Sequence, residues 1–333
     1  MLSFFSRLKW VRKSKKTQSS KKKDEISKVS SRTSESTNSS SQPKIQTSSV
    51  YTNGRRFQAY KDCNYILPND DTEIDRLHLE HWLMKNVLGR NFSVPIEPEL
   101  DRGIKVLDAG CGGGTWVLEM ANEYPNSDFT GIDVSVGWPT EIRPRNSDFV
   151  VGNIVSELPF EDNTFDFVYM RLVGMGVSND EYPTVLYHIY RVLKPGGWVE
   201  LVEVDGAQVY RGRRSSQFWN AVLQYLKMRG FKTGIVKDLY QKVEDAGFVN
   251  IDGMRVRIPL GTWGGKLGEV FEEDVLGAYR SLRPVIQPML NFSDDDFQSL
   301  LDNLPAENNE VRQEMNWFSN WAQKPTPEQI RFR

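Results

Sequence analysis

The sequence predicts an α/β domain: a mostly parallel sheet with helices on both faces, and a helical addition before a last edge strand. Three observations predict it. Short apolar segments alternate with stretches of helical periodicity between residues 104 and 204. A glycine turn, Asp108-Ala-Gly110-Cys-Gly112-Gly-Gly114, follows the first of those segments. An acid, Asp133, closes the second segment. Strands that alternate with helices pair in parallel and are buried on both faces.

The elements follow in order. Asp70 or Thr72 can cap a helix whose face is Ile74, Leu77, His81, Met84 and Leu88, at spacings of three and four, and Gly89 ends it. Ile104 to Leu107 is a short buried strand, and Thr115 to Tyr124 is a helix. Phe129–Ile132, Phe149–Val151 and Phe165–Tyr169 are three further strands. Tyr182, Val185, Leu186, Ile189 and Leu193 mark a helix ended by Lys194-Pro-Gly-Gly197, and Trp198–Val204 is the fifth strand. Helices are predicted near 215–229 and 236–246, and a strand over 247–260, bent at Asp252-Gly253. Residues 264–315 read as mainly helical, and Phe318–Gln323 as the last edge strand. No internal repeat is visible.

Charge divides the chain. Residues 1–50 hold 12 Lys/Arg against 3 Asp/Glu, and the remainder 30 against 41. Residues 14–50 are mostly Ser, Thr, Lys and Gln, with too little to bury to offset ordering entropy, so a disordered basic tail is predicted over 1–50. Its first thirteen residues interleave Leu2, Phe4, Phe5, Leu8, Trp10 and Val11 with basic residues. That pattern fits a mitochondrial presequence, a membrane-surface helix, a nuclear import patch with Lys21-Lys22-Lys23, or a solubilising tail with no address. Cytoplasm or nucleus is the primary expectation, with mitochondria the alternative, and a protein partner through the tail stays open. The acidic remainder argues against a nucleic-acid groove on the folded part. No eighteen-residue apolar run is present, so no transmembrane segment is expected. Two cysteines, Cys63 and Cys111, and three histidines show no zinc spacing, so no metal is expected.

Glycines after a strand let the backbone turn tightly and approach a ligand at the sheet's carboxyl edge. Asp108 can hold a cationic amine there. Asp133, nineteen residues past Gly114, can accept both hydroxyls of a ribose. A dinucleotide site would need Gly-x-Gly-x-x-Gly facing a pyrophosphate, but counting from Gly110 the sixth position is Thr115. The observed pattern suits a ligand with an amino-acid end and no phosphate, and speaks against a nicotinamide-dependent oxidoreductase. The plain alternative is a glycine turn that only links strand to helix.

Val106–Gly114, Gly131-Ile-Asp-Val134 and Arg191-Val-Leu-Lys-Pro-Gly-Gly197 resemble the motifs of class I S-adenosyl-L-methionine-dependent methyltransferases, over about residues 103–205. Within that superfamily, Tyr65–Leu77, Arg257–Trp263 and Ala322-Gln-Lys-Pro325 resemble fungal methyltransferase-like regulators of secondary metabolism. The resemblance implies a Rossmann-like sheet of seven strands, six parallel and one antiparallel, with Phe318–Gln323 as the antiparallel strand. The domain division it suggests is a tail over 1–50, an N-terminal helical cap over 51–102, a cofactor-binding core over 103–260, and a helical addition with the last edge strand over 261–333.

The resemblance places the cofactor's methionine part on Asp108, Gly110, Gly112 and Gly114, with Asp133 and Val134 at ribose and adenine. Asn153 and Ile154 fall in the third motif, where many relatives have an acid; Asn153 can still accept from and donate to an adenine edge. Arg171 meets the cofactor carboxylate, orients the substrate, or is a surface or core-rim arginine. Cys111 lies in the loop as a small filler or a redox group. Candidates for proton transfer are Glu203, Tyr169 and His188, while His81 reads as a satisfied core histidine. Trp263, Phe271, Trp317 and Trp321 either line a substrate wall or pack the added helices. The implied activity is methyl transfer to an unidentified small-molecule or protein acceptor. The alternative is a regulatory protein that binds the cofactor with little turnover.

Overall fold

A computed structural model describes residues 49–59, 63, 65–205 and 212–331. The expectations for residues 1–48 lie outside the described residues. The structure opens on a hairpin of β1 (Ser49–Thr52) and β2 (Arg55–Gln58), where helix was predicted, and Ser49 and Val50 pair where the tail was predicted to continue. Its turn is Asn53-Gly54, both at positive φ, which matches the twist of paired antiparallel strands. Arg55 binds Asp70 at 2.6 Å and so ties the hairpin to α1 (Asp71–Leu88). Asp70 is the cap of that helix, accepting from the Glu73 N–H at 3.1 Å, and Gly89 ends it in the left-handed conformation. The short α2 (Glu97–Arg102) leads to the sheet.

The core elements are β3 (Lys105–Ala109), α3 (Thr115–Glu123), β4 (Asp128–Asp133), β5 (Ser147–Val151), β6 (Phe165–Arg171), α4 (Tyr182–Val192) and β7 (Leu193–Val204). Then come α5 (Arg213–Met228), α6 (Ile235–Asp245), β8 (Val249–Pro259), α7 (Gly265–Ser281), α8 (Arg283–Leu290), α9 (Asp294–Glu310), β9 (Glu314–Gln323) and α10 (Pro327–Arg331). The sheet has seven strands in the order β5-β4-β3-β6-β7-β9-β8. β9 runs antiparallel to both its neighbours and the other six share one direction. The predicted antiparallel strand is therefore present, but it is not at an edge. β9 lies between β7 and β8, hydrogen-bonded on both sides, and the outer edge is β8, half of whose side chains are exposed.

Two further differences are local. Lys194-Pro-Gly-Gly197, expected as a turn, is an irregular start of β7: Leu193 pairs with Phe165 and Trp198 with Phe167. The expected bend in β8 is a register shift between Val249 and Asp252 rather than a break. Packing makes three layers. One sheet face buries Leu107, Ile132, Val168 and Leu201 against α4 and α6; the other buries Val106, Phe129 and Phe167 against Trp116, Met84 and Phe271. The added helices form a cluster of their own around Phe218, Tyr279, Ile286 and Phe297. Among the described residues no helix is long and apolar enough to cross a membrane.

Candidate functional site

β3 and β4 end side by side, with Asp108 opposite Gly131 and Ala109 opposite Ile132. The chain then turns: the Gly110 and Cys111 N–H groups both donate to the Ile132 carbonyl, at 2.8 and 3.1 Å. Gly110 has φ 84°, and a Cβ there would stand 2.8 Å from Val173 Cγ1, so only glycine leaves the turn open. Gly114, φ 75°, caps α3. A side chain there would meet the Phe149 ring at 2.7 Å. Gly114 lets α3 start against β5, and it is not among the residues that line the cavity over this turn.

Asp133 holds the turn from the neighbouring strand. Its Oδ2 accepts from the Gly112 N–H at 2.9 Å, and its Oδ1 from the Ser135 N–H and hydroxyl at 3.0 and 3.2 Å. Burial raises its pKa and these donors pull it back. Asp108 has fewer such donors. Burial pushes its carboxyl up to about 7, moderated by Arg171 and reinforced by Asp133. A buried carboxyl poised there favours a cation as ligand.

A cavity opens over this turn. Its wall includes Asp108, Gly110, Cys111, Gly112, Asp133, Val134, Asn153, Ile154 and Arg171 of the predicted cofactor residues. Asn153 lines the wall, and its Oδ1 accepts from the Val155 N–H at 3.0 Å. Arg171, at the end of β6, sits with its guanidinium 3.4 Å from His81 Nδ1, and His81 Nε2 lies 2.5 Å from Glu119. Burial and Arg171 depress His81 to about 4, so it is neutral, donating to Glu119 and accepting from Arg171. Burial raises the Cys111 thiol well above its ordinary value, so it stays protonated and fills space, and Gly131 has no side chain because Cys111 Sγ occupies that place. The sequence reading missed Tyr65, Leu77, Ser135, Gly137 and Val177, which also line the wall. Only Ser135 carried a signal, as a hydroxyl two residues after the acid.

The three proton-transfer candidates are not together. Tyr169 lines the same cavity, stacks on Trp116 at 4.3 Å, and burial raises its phenol. His188 lines neither this cavity nor the next, because α4 buries Tyr182, Val185, Leu186 and Ile189, and His188 lies off that face. Glu203 lines a second, adjoining cavity. There it accepts from the Val173 N–H at 3.2 Å, and burial pushes it up to about 8. Phe271 and Trp317 also line the second cavity. Trp263 donates to the Leu260 carbonyl at 2.8 Å and Trp321 packs into the core.

Residues 106–197 match the family described as a methyltransferase domain. The seven-stranded sheet, with the glycine turn after β3 and Asp133 at the tip of β4, is a Rossmann-like arrangement. The secondary metabolism regulator laeA of Aspergillus fumigatus is 30% identical over 219 residues, covering 63% of this chain and 57% of that one. Methyltransferase pytC of Aspergillus terreus is 31% identical over 221 residues, covering 64% of this chain and 66% of that one. The chain thus spans less than two thirds of the length of these relatives. Among solved structures, Haemonchus contortus phosphoethanolamine N-methyltransferase 2 in complex with S-adenosyl-L-methionine is similar with a TM-score of 0.44 and 18% identity, over 75% of this chain and 57% of that one.

Proposed function

We propose that the first cavity binds S-adenosyl-L-methionine and that the chain transfers a methyl group to an acceptor in the adjoining space. The observation that carries this reading is the pair of buried acids, Asp108 and Asp133, at neighbouring strand tips on either side of an open glycine turn. Asp108 would hold the ammonium of the amino-acid end and Arg171 its carboxylate. Asp133 would accept the ribose hydroxyls through the lone pairs that Gly112 and Ser135 leave, with Val134, Asn153 and Ile154 along the base. When bound, the cofactor supplies a methyl group on a cationic sulfonium. The chain's own task is to align the acceptor and exclude water, and orientation alone lowers such a barrier by roughly 7–11 kcal/mol. Glu203 is our candidate for accepting a proton from the acceptor.

Calorimetry with S-adenosyl-L-methionine tests the reading. The full chain should bind one equivalent and Asp133→Ala should lose binding while remaining folded; unchanged affinity in that variant removes the ribose assignment. Glu203→Gln should slow turnover and leave cofactor affinity alone; if affinity falls instead, Glu203 acts only by holding the turn at Val173. A second reading, a regulator that binds the cofactor with little turnover, is favoured by the backbone bond that occupies Glu203 and by the regulators among the relatives. Binding without methyl transfer to any acceptor pool would select it. We infer a cytoplasmic or nuclear site of action, supported by Lys21-Lys22-Lys23; a fluorescent fusion found in mitochondria would overturn this.

A further inference from the structure

The second cavity has a character of its own. It adjoins the first: Tyr65, Leu77, Glu80 and Leu172 line both. Its walls come from α1, α5, α6, α7, β7 and β9. Most of that wall is apolar, with five aromatic side chains, Tyr65, Trp219, Phe271, Tyr279 and Trp317. Such a lining takes a compact apolar body, and aromatic faces also attract a cation.

The charged groups in the wall are unbalanced. Among the described residues, one cation, Arg76, shares the wall with three carboxyl groups, Glu80, Asp274 and Glu203. Arg76 is already bonded to Glu80 at 2.6 Å, to Asp274 at 3.0 Å and to Glu73 at 2.8 Å. Burial pushes Asp274 and Glu203 each up to about 8. An ammonium would pair with these buried carboxyl groups where a neutral or anionic ligand would not.

We propose that this cavity is the acceptor site and takes a small molecule with an apolar body and a basic amine. The inference rests on the reading that the first cavity holds the methyl donor. In the transfer so implied, the bound ammonium first gives a proton to a wall carboxylate. The neutral amine's lone pair then forms the N–C bond, the S–C bond breaks with its electrons kept on sulfur, and the methylated product leaves as an ammonium.

Three probes of one shape and different charge test it on the full chain: naphthylmethylamine, naphthylmethanol and naphthylacetate, each titrated by calorimetry. The amine should bind at one site about tenfold more tightly than the alcohol or the acid, a difference of about 1.4 kcal/mol. Ala278→Trp, which fills the cavity from α7, should abolish that binding. Leu223→Trp, from α5, serves if the first variant melts early. Asp274→Asn should bring the amine down to the level of the alcohol. Equal or tighter binding of the alcohol or the acid overturns the inference, as does amine binding that both filled variants retain. S-adenosyl-L-methionine is titrated into the same samples. If the cofactor fails to bind while the amine preference persists, the donor reading fails and the cavity's chemistry stands. If the cofactor binds and the preference is absent, the reverse holds.

Discussion

Asp108 and Asp133 are both buried acids at strand tips, and their neighbours set them different tasks. Asp133 is braced by three donors from Gly112 and Ser135, so it shapes the turn as well as facing the cavity. Asp108 lacks that bracing, and its carboxyl titrates near about 7 instead of at its ordinary 3.8. A cationic amine needs the ionised form, so binding below that pH must release a proton. Cofactor affinity should therefore rise from about pH 6 to about pH 7.5 and flatten above. In the ligand-free chain the sign is opposite: the raised value lowers stability as pH climbs from 3.8 to about 7, because the unfolded chain gives up that proton first. Calorimetry in buffers of different ionisation heat reads the release directly. Asp108→Asn should flatten the profile and weaken binding at neutral pH about tenfold or more, since a hydrogen bond to a charged partner is worth about 1.5–3 kcal/mol. A wild-type profile already flat across that interval removes the amine assignment.

At the scale of elements, α1 begins where three constraints meet. Asp70 caps its first turn, binds Arg55 of the hairpin, and accepts from the Arg56 N–H at 3.3 Å. Asp70→Ala should cost about 1–2 kcal/mol, mostly the cap with a smaller part from a partly exposed ion pair. Asp70→Ser should recover the cap alone and sit between the two in a urea melt; a serine variant no better than alanine would mean the cap is irrelevant. This helix was legible because apolar spacing, cap and stop agree over Asp70–Gly89. The hairpin before it was legible too, in Asn53-Gly54, but the reading took its residues for tail and helix. The turn at Asp108–Gly114 was legible because glycines, acid and strand fall in one short window. The position of β9 was not: Phe318–Gln323 alternates like any half-buried strand, and nothing local tells whether β7 or β8 flanks it. The second cavity was hidden for the same reason, since its wall draws on residues from Tyr65 to Trp317.

At the scale of the molecule, Glu200 on β7 joins three distant stretches. Fully buried, it accepts from the Ser93 N–H at 2.6 Å, the Val94 N–H at 3.4 Å and the Ser319 hydroxyl at 2.7 Å. The segment before α2, the middle of the sheet and β9 thus share one carboxylate. Glu200→Ala leaves those donors without their acceptor and should destabilise the chain by about 2–5 kcal/mol, with Glu200→Gln less severe. Denaturant melts measure it; a loss under about 0.5 kcal/mol would show that the strap is replaceable by water.

Because β9 is threaded between β7 and β8, the sheet cannot be finished by adding strands in the order in which a ribosome releases them. A nascent chain extended only through residue 313 has β7 with one open flank and β8 with no neighbour at all. Both wait for the ten residues of β9, and closing pairs so far apart in sequence is slow. Until then two exposed strand flanks invite pairing with other chains, so chaperone dependence and aggregation during synthesis should be set by how soon Glu314–Gln323 arrives.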